Sequence, residues 1–262
     1  MQLLYKYPQA AFPYADLVET NRRRGKTDPE YELIDTGVFA DNRYFDVFVE
    51  YAKAGPDDIL IRISAVNRGP ESAELHLLPT LWFRNAWSWD HERMDAGDHQ
   101  PSLRRPDASA NGHGRVVIAE HAELGRYMLT CDGMPDLLFT ENDTNVQRLY
   151  GAPNPSPYVK DGINDAVVHS RAAAVNPAGN GTKAAAHYRQ TIGAGKTATI
   201  RLRLTNDERR TTNTVGDSWS SVLRPSSFGD FDAIFAQRQA EADAFYNALQ
   251  PATLDADARL IQ

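Results

Sequence analysis

The sequence predicts a sandwich of two antiparallel β-sheets with a helix toward the C-terminus, on three observations. Segments of strand composition recur from residue 43 onward, and turn residues punctuate nearly every interval between them. Residues 197–204 alternate Ala198, Ile200, Leu202 and Leu204 with Thr197, Thr199, Arg201 and Arg203, the period-two pattern of a strand with one buried face. Helical spacing is concentrated late in the chain, where Phe231, Ile234, Phe235, Arg238, Ala242, Phe245 and Leu249 recur up to Pro251. Many short strands with few helices imply two packed sheets, a sandwich of large format.

Strands are predicted over 44–51, 59–66, 73–82, 115–119, 126–131, 137–140, 167–170, 184–192 and 197–204. Ile59, Ile61 and Ile63 mark one buried face, and Asn67-Arg68-Gly69-Pro70 breaks the strand they belong to. After that turn Leu75 and Leu77 face one way and Glu74 and His76 the other, until Pro79 removes a ladder donor and demands an edge or a bulge. Gly193-Ala194-Gly195-Lys196 joins the last two strands. Residues 90–114 and 151–165 read as long polar excursions from the sandwich, where a rigid sheet positions functional groups. Residues 206–227 read as a linker, after which Asp230 and Asp255 stand where helix caps belong.

A chain of 262 residues with 42% hydrophobic content can bury one large core. Twenty-eight basic against thirty-five acidic residues, a formal charge of -7, exclude a general nucleic-acid binder. Arg22-Arg23-Arg24 is a local exception, read as a solvated segment. Cys131 is the single cysteine and reads as a small buried hydrophobe within a strand. No segment approaches the roughly 20 apolar residues of a membrane span, and the N-terminal residues lack the pattern of a secretory leader, so a soluble cytoplasmic chain is expected. The sequons at Asn142 and Asn180 are then idle.

Several motifs are decoys. Gly195-Lys196-Thr197 resembles the end of a phosphate-binding loop, but Gln190 stands where its first glycine belongs, and strands flank it on both sides. His91, Glu92, Asp95, Asp98 and His99 match neither a helical histidine pair nor a calcium loop. No metal and no cofactor are therefore expected. His121, His169 and His187 lack a nucleophile context and read as structural strand histidines.

Four blocks in order carry a family resemblance: residues 5–14 (YKYPQAAFPY), residues 41–47 (DNRYFDV), the run from Asn67 through Trp82-Phe83-Arg84-Asn85, and residues 156–161 (SPYVKD). Together they resemble bacterial proteins of glycoside hydrolase family 63, similar to the mannosyl-oligosaccharide glucosidases. The resemblance extends through residues 181–188 and the helix near the C-terminus. It implies a β-supersandwich of the galactose-mutarotase-like type over 1–227, incomplete at its N-terminus, and a linker helix over 228–262 leading to an absent (α/α)-toroid. In that family the catalytic acid and base of an inverting α-glucosidase lie in the toroid, so no catalytic residue is carried onto this chain. The implied partners are that toroid and, in the full-length enzyme, an oligosaccharide; the chain is expected to be an inactive fragment.

Candidate substrate-binding residues are Arg84, Asn85, Trp87, Trp89, Tyr158, Lys160 and Asp161. Sugar rings stack on aromatic faces while their hydroxyls need amide, guanidinium or carboxylate partners, and both groups of residues fall at strand ends or in loops. A packing role for Trp87 and Trp89, between the sheets or against the toroid, competes with the rim role. Two functional alternatives stand beside the scaffold reading. One is a free-standing carbohydrate-binding or domain-interaction module. The other is a mutarotase-like isomerase, told apart by whether a carboxylate and a histidine converge in a sheet-face pocket.

Overall fold

The computed structural model describes residues 1–87, 100–106, 115–206, 228–251 and 253–261. Among these, twelve strands form two antiparallel sheets. The larger sheet runs, in spatial order, β1 (Gln2–Pro8), β2 (Tyr44–Gly55), β3 (Asp58–Asn67), β12 (Thr197–Asn206), β8 (Gly125–Cys131), β7 (Arg115–His121), β6 (Ser102–Arg104) and β10 (Asn180–Gly181). The smaller sheet is built around β11 (Lys183–Ile192). Along one side of it lie β4 (Ala73–Leu77) and β5 (Thr80–Trp82), and along the other β9 (Asp136–Thr140).

Pro79 explains why β4 and β5 are two strands where the sequence suggests one. Both keep a common register on β11, with Leu77 opposite Tyr188 and Thr80 opposite Ala185. At the break Pro79 has no donor to give, and its carbonyl accepts from the Ala186 amide at 3.0 Å.

The inward faces of the two sheets share one core. Phe45, Val47, Ile63, Ala65, Leu129, Ile200 and Leu202 come from the larger sheet, and Leu75, Leu77, Leu137, Phe139, Ala184, Ala186 and Tyr188 from the smaller. Cys131 lies fully buried in this core, and desolvation pushes its thiol up to about 12, as expected for an inert packing cysteine. Asn67 ends β3 and ties three turns together. Its amide nitrogen donates to the carbonyls of Glu71 and Ile192, both at 2.7 Å, and its oxygen accepts from Gln9 at 2.7 Å and Gly69 at 2.8 Å. Fully buried, it is satisfied on every side.

Leu60 breaks the alternation of β3, being apolar on the outward face yet completely buried. The reason is helix α4 (Phe231–Leu249), which lays Phe231 and Phe235 on Leu60 and Ala52. Burying two phenylalanines contributes about 1.5 to 3 kcal/mol each. Arg203 secures the helix start from the same sheet face, donating to both oxygens of Asp58 at 2.6 and 2.8 Å and to Asp230 at 2.7 Å. Asp230 therefore serves as an ion-pair partner rather than the expected cap, for its side chain makes no capping hydrogen bond. Asp255 does cap α5 (Ala256–Ile261), accepting from the Ala258 amide at 2.8 Å.

The fold is strand-rich and sandwich-like, but not purely β. Helix α1 (Tyr14–Arg23) follows β1, α2 (Val146–Tyr150) follows β9, and α3 (Gly162–Val168) replaces the strand expected over 167–170. In α3, burial of Ile163 and close packing of Gly162 override the strand preference of Val167 and Val168. A glycine is required there, because a Cβ at 162 would lie 2.2 Å from the Ala174 carbonyl oxygen. β6 falls inside the interval read as an excursion, and the segment expected to link 206 to 227 lies largely outside the described residues.

Candidate functional site

Three strand ends of the smaller sheet meet at one place. Lys183, the first residue of β11, stands opposite Trp82 at the end of β5 and Thr140 at the end of β9. The chain segments that leave β5 and β9 therefore start side by side. A third segment, 156–161, joins them through the backbone: the Glu141 amide donates to the Tyr158 carbonyl at 2.8 Å, and the Lys160 amide to the Asp143 carbonyl at 3.0 Å. Val159, buried between them, anchors this segment. Gly181 permits the close approach of β10, since a Cβ there would sit 2.3 Å from the Thr140 carbonyl oxygen.

Side chains complete the junction. Asn85 donates to Asp143 Oδ1 at 2.5 Å and to the Asn142 carbonyl at 3.3 Å, while Asn142 returns a bond to the Phe83 carbonyl at 2.9 Å. Asp161 accepts from Asn145 at 3.1 and 3.2 Å and pairs with Arg148 at 3.1 Å. Lys160 donates to Thr144 at 3.2 Å. Lys183 donates to the Lys160 carbonyl at 2.9 Å, and Thr182 to Glu141 at 2.8 Å. Burial holds the Lys183 ammonium below its ordinary value; nearby Lys160 adds to that shift, and Asp161 opposes it.

The structure thus brings Asn85, Tyr158, Lys160 and Asp161 into one hydrogen-bonded junction, with exposed Arg84 and half-buried Trp87 on the segment that leads away from it. Trp89 lies outside the described residues, as does the His91 to His99 run. Sequence reasoning missed Asn142, Asn145, Thr182 and Lys183. The signal was there: Asn142-Asp143-Thr144-Asn145 directly follows a strand, and short polar side chains in that position bond to backbone and to one another. The carboxylates of Glu141, Asp143 and Asp161 are each engaged by neighbouring donors, so the junction offers positioned amides, ammonium groups and carboxylates rather than a free acid and base.

A second polar concentration lies on the outward face of the same sheet. His187 Nε2 and His76 Nδ1 are 3.0 Å apart, and His76 Nε2 is 3.2 Å from Glu74 Oε1. Asp136, opposite His187 in register, accepts from Arg189 at 3.1 Å. Residues of α3 and the turn after it stand over this face, leaving a hollow of about 530 Å3 that Arg105 and Arg115 also line. Burial, reinforced by His76 and Arg189, lowers the basicity of His187, which Asp136 partly restores. Among the described residues no group of three or more histidines, cysteines or carboxylates is arranged to hold a metal ion.

The fold and junction define a strand-rich antiparallel sandwich with a polar cluster at one sheet end. No family model matches the sequence. The chain is a homologue, along its whole length, of the Saccharomyces cerevisiae (strain ATCC 204508 / S288c) protein titled "Uncharacterized protein YMR196W", with 33% identity over 295 aligned residues. It spans about a quarter of that relative, 26% of its length. Among solved structures, "Polysaccharide Lyase BACCELL_00875" aligns over 63% of this chain and 20% of its own, at 11% identity and a TM-score of 0.35. No helix of the described residues is long and apolar enough to cross a membrane.

Proposed function

We propose that this chain is the non-catalytic sandwich region of a family 63-like inverting α-glucosidase, with residues 1–227 as sandwich and 228–262 as a linker toward an (α/α)-toroid. Its role is to scaffold, and help line, an oligosaccharide site that the toroid completes. The observation that carries this reading is the junction itself. Two segments more than seventy residues apart, each with the composition of a sugar-contacting rim, are joined through 141–145 at one end of the smaller sheet. The enzyme class is taken from the resemblance of the four sequence blocks to family 63.

Inverting hydrolysis needs a free acid and a free base about 6.5 to 9.5 Å apart across the sugar. The junction carboxylates are committed to structure, which supports a scaffold over a self-contained hydrolase. A mutarotase-like isomerase needs a histidine and a carboxylate facing one substrate. His187 and Asp136 do line one hollow, but His187 is bonded to His76 and Asp136 to Arg189, so the groups left to meet a ligand there are chiefly guanidinium groups.

The test is incubation of the purified 262-residue chain with aryl α-glucosides and α-linked disaccharides. No turnover is expected. Saturable hydrolysis that vanishes in Asp143→Asn or Asp161→Asn would overturn the scaffold reading in favour of a complete enzyme.

A further inference from the structure

We propose that the hollow on the outward face of the smaller sheet binds an oxyanion, a carboxylate or a phosphate, carried on a molecule of monosaccharide size. This site shares no residue with the sheet-end junction and does not rest on the function proposed for it. Its volume of about 530 Å3 falls within the range of small-molecule pockets. Among the described residues three guanidinium groups line it, from Arg189 on β11, Arg105 just after β6 and Arg115 at the start of β7, against the one carboxylate of Asp136. A basic hollow on a chain of net charge -7 runs against the overall field of the molecule.

The pairing inside the hollow decides which groups face a ligand. Asp136 is engaged by Arg189, at 3.1 Å. Arg105 donates at 3.5 Å to the Leu137 carbonyl, a long contact, and Arg115 has no carboxylate partner among the described residues. Two planar donor forks from separate elements therefore stand on one cavity, the arrangement that grips carboxylate or phosphate oxygens. The histidines add a polar floor. His76 Nε2 lies 3.2 Å from Glu74 Oε1 and His187 Nε2 lies 3.0 Å from His76 Nδ1, contacts that hold both rings in place.

The test is calorimetric titration of the 262-residue chain with inorganic phosphate, with glucuronate, and with glucose as the neutral control. At least one anion is expected to bind with 1:1 stoichiometry, more weakly as salt is raised, while glucose does not bind. Phosphate alone would identify a phosphate site, and glucuronate alone a site for acidic sugars. Arg105→Gln and Arg115→Gln, both at exposed side chains whose replacement leaves the core intact, should each weaken binding about 10-fold or more, the scale of a lost charged hydrogen bond. Should one variant fail to fold, the other decides. Absence of binding by either anion, equal binding of glucose, or unchanged affinity in the folded variants would overturn the proposal.

Discussion

Asn85→Ala tests whether the sheet-end junction is held together by the contacts described. The substitution removes a 2.5 Å bond to the Asp143 carboxylate and a weaker 3.3 Å bond to the Asn142 carbonyl. A hydrogen bond to a charged acceptor contributes about 1.5 to 3 kcal/mol, and the partial exposure of both residues places this one near the lower end. The expected loss is about 1.5 kcal/mol, a fall in Tm of about 3 to 6 °C for a chain of this size. Asp143→Ala should cost a similar amount, because it removes the same bond and leaves Asn85 without its charged acceptor. The double variant should then cost clearly less than the two single losses together, with a coupling energy of about 1 kcal/mol. Urea unfolding followed by circular dichroism gives all four stabilities. A coupling below about 0.3 kcal/mol would show that these residues do not join the two segments, and the junction would lose its basis.

Three further outcomes follow from the same contacts. Lys183 has a folded pKa lowered by burial below its ordinary 10.5. Its penalty on stability is complete below the folded value and lifts as pH rises through the window up to 10.5, so stability attributable to this group rises with pH there. In titrations followed by NMR, Lys160→Gln should raise the Lys183 value and Asp161→Asn should lower it further; the opposite signs would misplace the ammonium. Arg203 has a side chain only 6% exposed, against 26% for Asp58 and 53% for Asp230. Asp58→Ala should therefore cost about 3 kcal/mol by removing both bonds of the two-pronged partner of a buried guanidinium, and Asp230→Ala only about 1, measured by thermal or urea unfolding; the reverse order would contradict the pairing. Gly162→Ala should cost about 1 to 3 kcal/mol, since its Cβ would meet the Ala174 carbonyl oxygen at 2.2 Å, and an unchanged Tm would refute that close approach.

Much of the sandwich was legible because burial on one face writes a period of two into the sequence. β12 keeps its alternation over 197–201 and loses it at Arg203, which is buried on the outward face, while Leu202 opposes both Ile61 and Cys131. β1 was illegible for the converse reason. Six of its seven residues are exposed, so Leu3, Leu4, Tyr5 and Tyr7 carry no in-and-out pattern, and pairing with β2 alone makes the strand. α1 likewise buries none of its residues. The short strands β6 and β10, three and two residues long, are set by their neighbours' hydrogen bonds rather than by their own composition.

Part of the candidate site was legible too. Asn85, Tyr158, Lys160 and Asp161 stand out by residue type and loop setting, but the 141–145 segment that joins them does not, because its role comes from backbone and amide bonds that only the register of β5, β9 and β11 creates. His187 was read as structural, and in part it is, since its ring is hydrogen-bonded to that of His76. What sequence does not disclose is their shared face. His76 and His187 are more than a hundred residues apart and become neighbours only through the pairing of β4 with β11 beside β9.

Whether the sheet end contacts sugar is answered most directly by NMR titration of the isotope-labelled 262-residue chain with maltotriose, following the side-chain amides of Asn85, Asn142 and Asn145 and the backbone amides of Lys160 and Lys183. Saturable shifts in the millimolar range or tighter, centred on these groups and reduced in Asn85→Ala, are expected of a rim that helps line an oligosaccharide site. Shifts confined to other surfaces, or none at concentrations well above that range, would contradict a sugar-lining role and leave the junction as a purely structural corner of the sandwich.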